Sequence, residues 1–417
     1  MRNTLALVVV VLSCTAVSLA RPAVAAEDWP QWRGPQRDGH IPGFTAPKTW
    51  PKQLRRQWQV EVGEGHSSPV VEGDRVFVLS RQGDQEVARA LCLADGKELW
   101  SQRYAAPFQM SPYATSHGKG PKSTPIVAGG RLYTLGIGGI LSCWDAATGK
   151  PLWQHDFAKK YPKASSIWYG AATSPMVEAE TLITFVGGLD EGALIALDCR
   201  SGRPRWQWAG DGAAYASPIL VALDGTRQIV TQSQNACIGV AAGDGSLLWR
   251  LPLKTEYDQN IITPVLAGEL LVFGGLDQPT AAYRLRQTAG KWSAERAWEI
   301  AESTLYMSTP VYVGGRLIGL ANRKKGEFFC LDTRSGKTLW TSDGRMGDYA
   351  ALLAAGDLVL AQTNGGELLV FSAKADRFQP VARYMVSDKP TWAHPAVVGK
   401  RILVKDETSL MLWTMDG

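Results

Sequence analysis

Ahead of a series of prolines, the chain repeatedly places side chains that could do chemistry. Glu64, Gly65, His66 and Ser67 precede Pro69, and Ser116-His117-Gly118-Lys119-Gly120-Pro121-Lys122 precedes Pro125. Later positions of the same kind hold Trp168-Tyr169, Tyr215, Asp258-Gln259-Asn260, Tyr306, Asp348-Tyr349 and Trp392-Ala393-His394. His66 is the natural candidate for a general base at neutral pH, although no partner for it can be assigned from sequence. Tyr169, Tyr215, Tyr349 and Trp392 carry ring faces able to stack on sugars. Lys122 and Asn260 add polar groups, and Lys122 and His66 each sit three residues before their proline, so they should occupy equivalent places. If these loops meet at one mouth, they make a ligand pocket of aromatic and polar character. The alternative is that they solvate a rim and cap strand ends.

What positions these loops is a repeat. One copy reads SSPVVEGDRVFVLS…LCLADGKELW and ends at Trp100; the next reads STPIVAGGRLYTLG…LSCWDAATGKPLW and ends at Trp153. Further copies end at Trp206, Trp249, Trp298 and Trp340. A period of about 40–50 residues with four short apolar runs per copy marks a β-propeller blade. The inner strands should follow Pro69, Pro125, Pro175, Pro218, Pro264, Pro310 and Pro395. The interval from Pro310 to Pro395 holds one degenerate copy, Ala350 to Ala361, which brings the number to eight.

Within a copy, Arg75 to Ser80 alternates as a half-buried strand does. The Asp-Gly and Thr-Gly pairs ahead of Trp100 and Trp153 supply the positive φ of a tight turn. The Trp residues, with Trp58, should fill the gap that widens between blades towards the rim; each buries ~150–250 Å² of surface in such a place. The last copy stops after Ser409 to Trp413 without a fourth strand. Arg55-Arg56-Gln57-Trp58-Gln59-Val60 looks like a fourth strand without earlier ones. The expected fold is therefore an all-β, eight-bladed propeller of four-stranded antiparallel blades, its ring closed by the N-terminal strand.

The expected organisation is a signal peptide over residues 1–25, an N-terminal extended segment over 26–53 and the propeller over 54–417. Arg2, the apolar run Leu5 to Leu12 and the small-x-small site Ala23-Val24-Ala25 carry the first assignment. Val11-Leu12-Ser13-Cys14 also resembles a lipobox, which makes Cys14 a candidate lipid anchor. An apolar content of 45% with 20% charged residues suits a large buried core. The formal charge of +5 drops to +3 without residues 1–25, which hold two arginines and no acid. That mild balance disfavours a nucleic-acid surface. Cys92, Cys143, Cys199, Cys237 and Cys330 follow the signal. Cys92, Cys143 and Cys330 read as equivalent third-strand positions of different blades, too far apart to bridge, so buried free thiols are expected. Five histidines without ligand spacing give no zinc motif.

The docking segments Leu141 to Trp153, Ala196 to Trp206 and Leu331 to Trp340 resemble the repeat of the pyrroloquinoline-quinone (PQQ) propeller superfamily, over about residues 54–417. Asp28-Trp29-Pro30-Gln31-Trp32-Arg33-Gly34-Pro35 resembles an opening found in exported PQQ-like propellers of environmental bacteria. The superfamily includes quinoprotein dehydrogenases, which hold PQQ and calcium, and non-catalytic propellers such as a lipoprotein of the outer-membrane β-barrel assembly machine. The adjacent-cysteine disulfide of the alcohol dehydrogenases has no counterpart here, and no calcium or base motif carries across. The resemblance thus implies an exported, non-catalytic scaffold or envelope assembly factor with a protein partner, in the periplasm or at the cell surface, with no cofactor. The alternatives are a PQQ-dependent dehydrogenase with a reduced site, and a surface binder of carbohydrate or small molecules. The candidate rim is His66, Lys122, Tyr169, Tyr215, Asn260, Tyr349 and Trp392.

Overall fold

The computed structural model describes residues 28–161 and 167–416. The expected signal peptide, residues 1–25, and Cys14 lie outside them. Eight sheets of four antiparallel strands form the ring. Seven blades are built from consecutive strands, the first from Val70–Glu72, Arg75–Gln82, Gln85–Cys92 and Glu98–Ala105. In the eighth, Ala396–Val398, Arg401–Lys405 and Ser409–Thr414 are completed by Arg55–Glu61, which pairs with Ser409–Thr414 from Glu61↔Ser409 to Arg55↔Thr414. The N-terminal strand therefore closes the ring and covers the edge that Ser409–Thr414 would otherwise present.

Seven inner strands begin directly after the prolines noted above; Val70, Ile126, Met176, Ile219, Val265, Val311 and Ala396 are their first residues. Proline lacks the N–H that a ladder would use, so it sets the boundary. The copy without a proline, Ala350–Ala355, runs six residues where most others run three.

In all eight sheets the register slips by one residue just before the docking position of the outer strand. In the first blade Ala90 faces Trp100 and Leu91 faces Glu98, so Leu99 is the extra residue. A bulge of this kind re-aims the next side chain. It turns Trp100 inward at 9% exposure and leaves Leu99 outside at 48%. Leu152, Leu339 and Val381 are exposed for the same reason.

The core lies between blades rather than along an axis. One cluster joins Val70, Phe77 and Ala88 of the first blade to Val127, Leu132 and Trp144 of the second. The docking Trp residues bridge these seams by hydrogen bonds as well as by area. Trp58 Nε1 donates to Leu93 O, Trp100 to Ala146 O, Trp153 to Cys199 O, Trp298 to Thr333 O and Trp340 to Ala375 O, each acceptor in the next blade. Trp249 departs from this pattern and donates to Gln228 Oε1 of its own blade. Trp153 and Trp206 are half-buried.

The five cysteines among the described residues are free. One alignment made from sequence is corrected. Cys143 faces Trp153 and Cys330 faces Trp340, but in the first blade the residue facing Trp100 is Ala90. Cys92 lies two residues further on, at the strand end, in the place that Asp145 and Asp332 hold in the second and sixth blades, where the turns make the same backbone hydrogen bonds. It is accordingly the one free cysteine among them that is not buried. No helix among the described residues is long and apolar enough to cross a membrane.

Candidate functional site

The loops that enter the inner strands do converge on one mouth of the axial channel. There the aromatic side chains pack on one another instead of standing open. Trp392 stacks on Tyr349 with ring centroids 5.5 Å apart and makes an edge-to-face contact with His117 at 5.0 Å. His117 meets Tyr169 at 5.1 Å, and Tyr169 meets Tyr215 at 5.8 Å. His66 lies 6.3 Å from Trp392. Tyr349 continues to His394, and His394 to Trp32 at 5.4 Å. Edge-to-face and offset contacts of this spacing favour a fixed cluster. Tyr215 and Tyr349 are buried, and burial raises the phenol pKa of both. Tyr169 and Trp392 remain half-buried at the edge of this packed cluster.

His66 Nε2 lies 3.0 Å from the His117 carbonyl, so Nε2 carries the proton and donates. Its Nδ1 is buried without a partner. Burial, with Lys122 and Lys405 nearby, holds the imidazole down at about 3. The ring is thus neutral at pH 7, and no carboxylate orients it as a catalytic base would require. Lys122 donates to the carbonyls of Gly118 and Gly120. Burial lowers its pKa to about 7 against the opposing pull of Glu86. His66 and Lys122 do belong to touching loops: the amides of His66 and Ser67 both donate to Pro121 O. A Cβ at Gly120 would stand 2.3 Å from Gly65 Cα, so this approach requires glycine.

Asn260 does a different job. Its Nδ2 donates to Ser233 O, Gln234 O and Leu253 O, and the side chain is fully buried. It brackets loops rather than facing the mouth. Tyr306 donates to Gln259 Oε1 at 2.6 Å, and burial pushes its phenol up to about 12. Outside the cluster, Tyr113 at 81% exposure and Tyr257 at 52% flank Trp168, with centroids 5.5 and 5.6 Å away.

The other part of the channel holds the feature that sequence reasoning missed. The segment Asp28 to Ile41 threads the axis as a plug. Trp29 and Val71 exchange backbone hydrogen bonds, and Val127 N donates to Pro30 O. Arg37 donates from Nε to Pro218 O, from Nη1 to Pro175 O and from Nη2 to Ser174 O. Arg33 donates to Thr309 O and Pro310 O. His40 Nε2 meets Tyr312 O, and Ile41 N donates to Ala354 O. The plug thereby touches the inner strands, or their entry residues, of blades one, two, three, four, six and seven, and Trp32 meets His394 at the eighth. Both guanidiniums are buried, and burial lowers their pKa values, to about 10 for Arg33 and about 9 for Arg37. The only sequence signal was two arginines four residues apart between Gly, Pro and Trp, in a segment with no strand pattern.

Among known proteins, a family profile described as outer membrane protein assembly factor BamB matches residues 50–116 and 84–342. BamB of Yersinia pestis is 28% identical over 248 residues, which are 58% of this chain and 61% of that protein. BamB of Xanthomonas campestris pv. campestris is 24% identical over 221 residues, 53% of this chain and 49% of that protein. The chain thus spans less than two thirds of the length of these curated relatives. The crystal structure of BamB from Moraxella catarrhalis superposes with a TM-score of 0.61 at 15% identity, over 87% of this chain and 97% of that one. The quinohemoprotein alcohol dehydrogenase ADHIIG from Pseudomonas putida HK5 superposes with a TM-score of 0.64 at 14% identity, over 94% of this chain and 81% of that one. At such identities both likenesses are of fold.

The quinoprotein likeness makes PQQ with calcium a test of the mouth. Among the described residues no group of three or more His, Cys, Asp or Glu is arranged to hold a metal ion. The rings of Trp392, Tyr349, His117 and Tyr169 close on each other where a flat cofactor would need a slot. The residues present at this mouth do not fit that pair.

Proposed function

The chain belongs to the outer membrane protein assembly factor BamB family of PQQ-like propellers, and from that premise we propose that it is an exported, non-catalytic propeller that works as a protein-interaction scaffold in envelope assembly. The observation that carries this reading is the double closure of the axis. The Asp28–Ile41 plug fills much of the channel, and the Trp392–Tyr349–His117–Tyr169 cluster fills its mouth. A propeller enzyme needs that space for substrate and cofactor. A scaffold needs only the outer surfaces of a rigid ring. The names of the sequence relatives, which are assembly factors, support the same role.

The partner on this reading is a protein of the cell envelope, and the place is the periplasm or the cell surface, with Cys14 as the candidate anchor. The PQQ-dehydrogenase reading finds no slot at the mouth. The carbohydrate reading loses Tyr215 and Tyr349, which are buried, and keeps only the half-buried Tyr169 and Trp392.

The test is made in the native host. The gene is deleted, and the amounts of outer-membrane β-barrel proteins are compared with those in the parent, with a photo-crosslinking residue placed at Tyr113 or Tyr257 in the complementing copy. A fall in barrel proteins, together with a discrete crosslink to an envelope protein, supports the assembly role. Unchanged barrel proteins and no crosslink at either position would overturn it.

A further inference from the structure

The plug leaves one side of the channel unfilled. Its hydrogen bonds reach blades on both sides of the fifth but none to the fifth itself. There a cavity of about 250 Å³ lies between the plug and the inner strands of the fourth, fifth and sixth blades. One wall is polar and comes from the plug: Arg33, Gln36, Arg37, Asp38 and His40. The facing wall is apolar, with Ile219, Val221, Val265 and Leu266 among its residues.

Two observations give this cavity a chemistry. Arg33 and Arg37 are buried to 1% and 4% exposure, and none of the described carboxylates lies within ion-pair distance of either. Six backbone carbonyls and Gln31 Oε1 supply dipoles to the two guanidiniums; Asp38, exposed at the lip, favours the Arg33 cation without pairing to it, and no carboxylate acts on Arg37 among the described residues. A buried charge without a counter-charge is costly, and the cost is relieved by an anion. Second, Arg33 Nε is buried and has no hydrogen-bond partner, so the group on the cavity wall keeps a donor in reserve. Asp38 is the one acid of the lining. Its Oδ1 accepts from the His40 amide at 2.9 Å, and the residue is exposed at the lip.

We propose that this cavity binds a small carboxylate with a short apolar body, its charged end towards the Arg33 and Arg37 wall and its hydrocarbon against Val221, Val265 and Leu266. Guanidinium suits a planar carboxylate, because its N–H groups form a fork that matches the two oxygens. The apolar wall sets the second requirement, since burying a few methylenes there adds to affinity. Arg33 Nε is the unpartnered donor that the carboxylate would meet, while the strand contacts of Arg33 and Arg37 stay in place.

The experiment titrates the purified protein with butanoate and follows thermal unfolding, with sodium chloride at equal ionic strength as the reference. Binding to the folded state raises the melting temperature saturably. Butanamide tests the charge and inorganic phosphate tests the apolar body. Two variants keep the plug arginines intact: Leu266→Trp fills the cavity, and Gln36→Glu adds a negative charge at an exposed lip position. The expected result is a saturable shift with butanoate, roughly tenfold weaker binding of phosphate and of butanoate to Gln36→Glu, and no shift with butanamide or with Leu266→Trp. The proposal is overturned by no saturable shift with butanoate, by an equal shift with butanamide or phosphate, or by an unchanged shift in folded Leu266→Trp.

Discussion

The ring of Trp100 lies directly against the backbone of Gly149 in the next blade: a methyl group at Gly149 would stand 2.6 Å from Trp100 Cδ2. The same contact recurs between Trp58 and Gly96, Trp153 and Gly202, Trp206 and Gly245, and Trp298 and Gly336. The glycine of each turn thus has two tasks. It adopts φ near +75° at Gly149, and it leaves room for the preceding blade's indole.

Gly149→Ala should therefore cost more than the φ penalty alone. Gly129 also has a positive φ, +57°, but nothing lies within 4 Å of its added methyl. The expected loss is about 1–2 kcal/mol for Gly129→Ala from backbone strain. Overpacking against Trp100 adds about 1–3 kcal/mol more for Gly149→Ala. Urea unfolding of the two variants side by side measures the difference, and equal midpoints would remove the docking role.

Arg37→Lys should destabilise although it keeps the charge. The fork of Arg37 joins Ser174 O and Pro175 O of the third blade's entry to Pro218 O of the fourth. One ammonium cannot reproduce that geometry. Leaving one or two buried carbonyls unsatisfied costs about 1–3 kcal/mol each. A lowered melting temperature with unchanged far-ultraviolet circular dichroism is expected. Native stability in Arg37→Lys would show that the plug does not hold the blades.

Acid should loosen the mouth before it protonates most carboxylates. Burial holds His66 at about 3 and His394 well below the ordinary imidazole range. Between pH 6.5 and about 4.5 the unfolded chain takes up protons at these histidines and the folded one does not. Stability therefore falls as pH falls, by up to about 1.4 kcal/mol per pH unit for each. Urea midpoints over this range give the slope, and His66→Gln should reduce it by about one proton's share. A flat profile in the parent protein contradicts the buried neutral pair.

Trp58→Ala should open the ring at its closing seam. The Trp58 indole donates to Leu93 O at 3.0 Å and packs on Gly96, so it ties the eighth blade to the first. Loss of a buried Trp costs about 3–5 kcal/mol. Proteolysis should then cut first near Arg55–Glu61, before any other blade; cleavage starting elsewhere would place the weak seam in another part of the ring.

What was written in the sequence was whatever the repeat imposes locally. The proline before most inner strands, the glycine of most docking turns and the Trp of all but one outer strand act within a blade or on its neighbour. Their spacing therefore carries the blade number, the strand order and the closure by Arg55–Glu61. The convergence of His66, His117, Tyr169, Tyr349 and Trp392 also follows, because equivalent loops of a ring must meet at its axis. Whether they would stand open or pack shut did not follow, since that depends on ring-to-ring distances set by five different loops. The tertiary structure alone decided it, and it alone revealed the plug. Arg33 and Arg37 bind backbone carbonyls from 137 to 277 residues away in the chain. Every residue type offers the same carbonyl, so such partners leave no trace in side-chain identity or period, and only closure of the ring brings them to one axis.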